Sequence, residues 1–194
     1  LQNPPSCDRI IVRKTKRRQN LLIRNFVTIA LLSLTAFTFT PVIGVAEAAN
    51  VKTAKVVHKC TKRDTKENLL ACAMYAESRN QGKKGMAAVG NVVLNRVNDP
   101  QFPKTVKGVL FQPGQFSYTY KGAFNVVEKD RWQEAKHIAD RLIYLDKNFP
   151  EARDATDVTK GAKYFKKKNI RTHWEKDMIL VYRYKEHQFY IPKS

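Results

Sequence analysis

Residues 69–97, LLACAMYAESRNQGKKGMAAVGNVVLNRV, restrict what this chain can fold into more than any other stretch. Their apolar spacing predicts two helices joined by a glycine-punctuated turn. Leu70, Ala73, Met74 and Glu77 fall at i, i+3, i+4 and i+7, so an amphipathic helix carries its apolar stripe into a carboxylate at its last turn. A solvated glutamate titrates near about 4.3, whereas one pressed into an apolar wall is shifted upward and keeps a proton to donate near neutrality. Glu77 is therefore a candidate general acid. These residues alone leave open a solvated Glu77, or one paired with Arg79. The first helix is expected over about 65–78, with Asp64 capping it, Glu67 reaching back, and Gly82 supplying the turn that closes it. Met86, Val89, Gly90, Val93 and Val97 give the second helix one apolar face, and Gly90 marks a close helix crossing.

Ahead of this pair the chain changes character twice. Residues 1–25 carry Arg9, Arg13, Lys14, Lys16, Arg17, Arg18 and Arg24, and an apolar run from Phe26 to Phe39 follows. With Ala46 and Ala48 as small residues beyond it, this is the layout of a signal peptide, cleaved near Ala48 or Ala49. The alternative is an uncleaved membrane anchor over 26–46. Either way the remainder is expected outside the cytoplasm, in the periplasm, cell wall or medium. The chain opens on Leu1 with no Met before Met74, so an unconventional start codon or missing upstream residues are expected. Residues 49–66 hold six basic side chains against Asp64 alone and show no apolar period, which predicts a flexible basic linker before a folded domain at 67–194.

Charge narrows the partners. Lys and Arg number 36 against 17 Asp and Glu, a net +19, which implies attraction to a polyanion: nucleic acid, an anionic membrane surface or an acidic wall polymer. Cys7, Cys60 and Cys72 show no CxxC or His-rich spacing, so neither metal nor cofactor is expected. A Cys60–Cys72 bridge is open in an oxidising compartment, but the apolar helical neighbours of Cys72 favour a buried free thiol.

Downstream, Pro100 and Pro103 mark a loop, and 105–111 a short helix. Gln115-Phe116-Ser117-Tyr118-Thr119-Tyr120 alternates hydrogen-bonding groups with rings, which suits a loop that binds sugar by stacking and by edge hydrogen bonds; an edge strand has the same pattern. Asp130 to Lys147 is a core helix, with His137 beside its stripe in a structural role, and the tail beyond Asp157 is rich in strand formers.

No G-x-S-x-G, P-loop or H-E-x-x-H occurs. What remains is a carboxylic acid at a helix end beside an aromatic, amide-rich loop in an exported basic chain. The segment 71–97, followed by Pro103-x-Thr105-Val106, Gln115-Phe116-Ser117, Gly161-Ala162-x-Tyr164-Phe165, Trp174 and His187-x-Phe189-Tyr190, resembles the SleB-type cell-wall hydrolase family. The resemblance implies an α+β, mostly α, lysozyme-like or lytic-transglycosylase-like domain with a small sheet, acting on the glycan strands of peptidoglycan. It further implies that Glu77 is the catalytic acid. The sequence departs from the pattern at Ser78, Asn80 and Gln81, where the family carries Ala, Gly and a second Glu.

On that footing Gln115, Ser117 and Tyr118 are expected to contact acetamido or hydroxyl groups, and Tyr164, Phe165 and Trp174 to form a stacking wall. Either a lytic transglycosylase or an N-acetylmuramidase is implied, in wall remodelling or phage lysis. A monomer with no specific nucleic-acid partner is expected. The competing readings are a polyanion-binding module, resting on net charge, and a wall-binding protein that does not cut.

Overall fold

The structure, a computed structural model, describes residues 55–193. The expected leader, with its apolar run, lies outside the described residues; among these no helix is long and apolar enough to cross a membrane.

Helix α1, Lys66–Ser78, is the axis of the core. Leu69 to Tyr75 are apolar without interruption, and all are buried, so α1 is enclosed on nearly every side rather than presenting a single stripe. Its cap falls one residue later than expected. Thr65 accepts from the Asn68 amide at 3.3 Å, while Asp64 accepts from the Thr61 amide at 2.7 Å and lies 3.3 Å from His58 Nε2. Asp64 therefore closes the turn ahead of the helix.

A single 3-10 turn, Arg79–Gln81, links α1 to α2, Gly82–Asn98. Gly82 has φ 77°, a conformation that side chains resist, and it opens α2 as well as ending the turn. The crossing expected at Gly90 is present: a Cβ there would lie 2.7 Å from Leu142 Cδ1 and 2.8 Å from Met74 Sδ. Leu142 belongs to α4, Lys129–Asn148, which buries Trp132, Ala135, Ala139, Leu142 and Ile143. Helices α3, Val106–Leu110, and α5, Pro150–Thr156, are short.

Strand β1, His58–Thr61, pairs antiparallel with β2, Ala123–Val126, in the register His58 to Val126 and Cys60 to Phe124. Strands β3, Tyr164–Lys167, β4, Met178–Tyr184, and β5, His187–Pro192, form an antiparallel sheet in the order β3-β5-β4.

Three expectations are corrected. The basic linker at 49–66 is not flexible throughout, because His58–Thr61 is a strand whose one buried residue, Cys60, is too short a signal to read as a period. Cys72 is not a free thiol; it is bonded to Cys60. The loop at 115–120 is not an edge strand, since Ser117–Lys121 coils into a 3-10 helix with Phe116 inserted into the core at its start.

Candidate active site

Burial decides how Glu77 presents itself. Leu70, Ala73 and Met74, the other members of its stripe, are each 0% exposed, and Glu77 on the last turn of α1 is half-buried where the stripe meets the surface. The 3-10 segment that follows Phe116 carries Tyr118 near enough for the charge of Glu77 to act on it. Burial raises the Tyr118 phenol well above its ordinary range, and the negative charge of Glu77 raises it further, so a neutral phenol stands beside the carboxyl group. Phe116 and Phe124 pack edge-on against the Tyr118 ring at 6.4 and 5.4 Å.

Arg79, offered by the sequence as a partner for Glu77, bonds Glu128. Its Nε donates to Glu128 Oε2 at 2.6 Å, and its guanidinium lies 5.0 Å from the centre of the Tyr75 ring. Tyr75 Oη donates to the same Glu128 oxygen at 2.9 Å. Those bonds, Tyr75 first and Arg79 after it, hold the Glu128 carboxyl below the usual carboxylate range. On α1 Tyr75 is two residues from Glu77, about 200° around the helix, so this network braces the far side of the same turn.

The three departures from the family pattern each have a physical account. Ser78 is buried and donates to the Met74 carbonyl at 2.9 Å, as a serine in a helix can. Asn80 is exposed and accepts from Gln81 Nε2 at 3.2 Å. Gln81 is buried; its Oε1 accepts from the Glu186 amide at 3.2 Å and its carbonyl from Lys185 Nζ at 2.9 Å. An acceptor is what this position needs, and a neutral amide supplies one. Residues 185 and 186 form the turn between β4 and β5, so the hairpin is fastened to the corner that follows Glu77.

The remaining expected residues are distributed unevenly. Ser117 is exposed next to Tyr118. Gln115 accepts from Arg96 Nη1 at 2.9 Å, and the Arg96 guanidinium lies over Phe102, Phe116 and Tyr164 at 5.3 to 5.9 Å, so Gln115 helps to anchor that cation among rings. The expected wall of Tyr164, Phe165 and Trp174 does not form one surface. Neighbours on a strand point to opposite faces: Tyr164 meets Trp174 and Phe102, whereas Phe165 meets Phe116, Phe189 and His187. Trp174 is 5% exposed, too deep to offer a ring face. The braces Tyr75, Glu128 and Arg96 were not singled out from the sequence; Arg79 and Arg96, inside the motif stretch, were the available signal.

Two other clusters complete the survey. A polar pocket of about 560 Å³ is lined by residues that include Asn95, Asp99, Arg153, Asp154, Asp157 and Lys163. Two pairs of its charges face each other, Lys163 with Asp99 and Arg153 with Asp154. Burial pushes Asp99 up, but bonds from Lys163 and the Gln101 amide hold its carboxyl below the usual range. His58, Cys60 and Cys72 are the one group of potential metal donors among the described residues, and its two sulfurs are bonded to each other.

A family model described as Cell Wall Hydrolase matches residues 80–190, more than half of the chain, starting just after Glu77. A spore cortex-lytic enzyme of Oceanobacillus iheyensis is 40% identical over 67 residues, 34% of this chain but 24% of that protein's length. The chain thus spans about a quarter of such relatives. A cell wall hydrolase CwlJ of the same organism is 31% identical over 131 residues, covering 65% of this chain and 86% of the relative. Among solved structures, the catalytic domain of the germination-specific lytic transglycosylase SleB from Bacillus anthracis is similar with a TM-score of 0.51 and 27% identity, over 65% of this chain and 93% of that one. The α+β, mostly helical fold is the one expected from the sequence.

Proposed function

The chain belongs to the cell wall hydrolase family, and from that premise we propose that it is an exported enzyme that cleaves peptidoglycan between N-acetylmuramic acid and N-acetylglucosamine, with Glu77 as general acid and then base. The observation that carries this reading is a half-buried carboxyl group at the end of a helix buried along Leu69–Tyr75, within electrostatic reach of the neutral phenol of Tyr118. Glu77 donates its proton to the bridging oxygen as the C1–O bond breaks through an oxocarbenium-like state. The sugar's own acetamido oxygen meets the charge at C1. The Glu77 carboxylate then takes the proton of the 6-hydroxyl on the same sugar as that oxygen closes on C1, which leaves a 1,6-anhydro end and returns Glu77 to its protonated form.

Hydrolysis instead needs a second carboxylate, at roughly 5 to 5.5 Å for retention or 6.5 to 9.5 Å for inversion. Asp99 and Glu128, in loops, and Asp154, on α5, are each held by a cation, Lys163, Arg79 and Arg153 respectively, which favours the transglycosylase route. That a similar structure is a lytic transglycosylase supports the same choice. Ser117 is the exposed group offered to the sugar, Tyr118 stands behind it with its hydroxyl buried, and Gln115 acts through Arg96. The basic leader at 1–48 delivers the rest of the chain to the wall, where an excess of 29 Lys and Arg over 15 Asp and Glu holds it on acidic polymers.

The test compares the purified chain with Glu77→Gln on a suspension of peptidoglycan. The parent is expected to clear it and to release muropeptides with anhydro ends, one water lighter by mass spectrometry than reducing ends. The variant should lose roughly 1,000-fold or more in rate, as removal of an acid that serves both steps predicts. Equal clearing by both proteins would remove Glu77 from the mechanism; binding by the parent without soluble fragments would make the chain a wall-binding protein.

A further inference from the structure

The Cys60–Cys72 bond and the candidate active site share a wall. Cys72 lies in α1, which ends at Glu77, and Cys60 lies in β1, directly across the ladder from Phe124 of β2. The Phe124 ring meets Tyr118 edge-on at 5.4 Å and stacks on Tyr75 at 6.3 Å. Cys60, Cys72, Phe124 and Tyr118 also line one void of about 10 Å³, room for about one water. The covalent tie therefore joins the helix that carries Glu77 to the sheet that seats Tyr118.

The two sides of that tie are unequal. Helix α1 is buried along Leu69–Tyr75 and stays in place without the bond. Strand β1 is four residues long; its other ties include the β2 ladder, the stack of His58 on Trp132 at 4.4 Å, the contact of His58 with Asp64 and the bond of the Thr61 amide to Asp64 at 2.7 Å. Two-stranded sheets are marginal on their own. Loss of the bond thus acts on β1–β2, and through Phe124 on Tyr118.

We propose that the Cys60–Cys72 disulfide is a redox switch on this site: oxidised, it holds Tyr118 beside Glu77; reduced to two thiols, it releases the β1–β2 wall and leaves a folded chain of low activity. The proposal rests on the function inferred above and adds its regulation. In the off direction a dithiol reductant attacks one sulfur, forms a mixed disulfide and closes on itself, so that the reductant is oxidised by two electrons and Cys60 and Cys72 each gain a proton. The consequence is an enzyme held down in a reducing cytoplasm and made competent where disulfides form.

The experiment uses the full chain carrying Cys7→Ser, oxidised, reduced with dithiothreitol and then reoxidised, beside a Cys60→Ser/Cys72→Ser variant. EDTA is present throughout, because the freed thiols and His58 lie within 4.8 Å of one another and would hold zinc. Muropeptide release is expected to fall roughly tenfold or more on reduction and to return on reoxidation, with unchanged helical circular dichroism. Faster amide exchange is expected at 123–126 but not in α1, and the serine variant should match the reduced chain with or without reductant. Equal activity of oxidised and reduced chains would overturn the switch, as would loss of the helical signal on reduction, which would make the bond a support of the whole fold. If the oxidised chain releases nothing, the proposed function fails; the exchange at 123–126 still reads the mechanical half of the inference.

Discussion

His187 sits 3% exposed on β5, its ring edge-on to Phe165 and Phe189 at 5.5 and 6.1 Å, with no hydrogen-bond partner for Nδ1. Burial, and after it the positive charge of Lys167, lowers its pKa to about 4 from an ordinary 6.5. The unfolded chain therefore takes up a proton here at higher pH than the folded one. Stability is full above about 6.5, falls as pH drops through the window, and levels off below about 4, a loss on the order of 3 kcal/mol. Urea melts between pH 7 and 4.5 check this, and His187→Leu should flatten the upper part of the slope. The Arg79–Glu128 pair is different in kind: both side chains are more than a third exposed, so solvent screens the interaction. Arg79→Ala is expected to cost less than about 1 kcal/mol in thermal melts, while muropeptide release falls further than that loss explains, because the brace behind Glu77 is gone. Sequence showed the motif Glu-Ser-Arg but not where its Arg would go, since Glu128 comes from a distant loop.

Among the elements, the α1–α2–α4 crossing makes the sharpest demand. A methyl at position 90 meets the ends of Leu142 and Met74, both able to swing, so Gly90→Ala is expected to be near neutral as helix propensity offsets crowding. Gly90→Val adds branches that the site cannot hold and should destabilise by about 1 to 3 kcal/mol in denaturant melts. The disulfide closes a loop of 12 residues, and its removal is expected to cost about 3 kcal/mol, a drop in melting temperature on the order of 10 °C. Helices of 17 and 20 residues were legible because they repeat the apolar spacing several times, and the 13-residue α1 because its apolar run is long and capped. Strand β1 was not: four residues with one inward side chain carry no period, and pairing with β2 lies more than 60 positions away. For the same reason Tyr118 was nameable as a ring in a loop, but its place beside Glu77 depends on Phe116 and Phe124, which sequence could not position.

For the whole chain, charge sets the working range. With 29 Lys and Arg against 15 Asp and Glu beyond the leader, retention on an anionic wall and the rate of encounter should fall as salt rises from about 50 to 500 mM, while cleavage of small soluble muropeptides changes much less; sedimentation with peptidoglycan at each ionic strength separates the two. The hairpin turn at 185–186 is fastened to Gln81 across 104 and 105 positions of sequence. A nascent chain therefore cannot complete the corner beyond Glu77 until residues 185 and 186 have also left the ribosome, more than 100 positions after Gln81 itself.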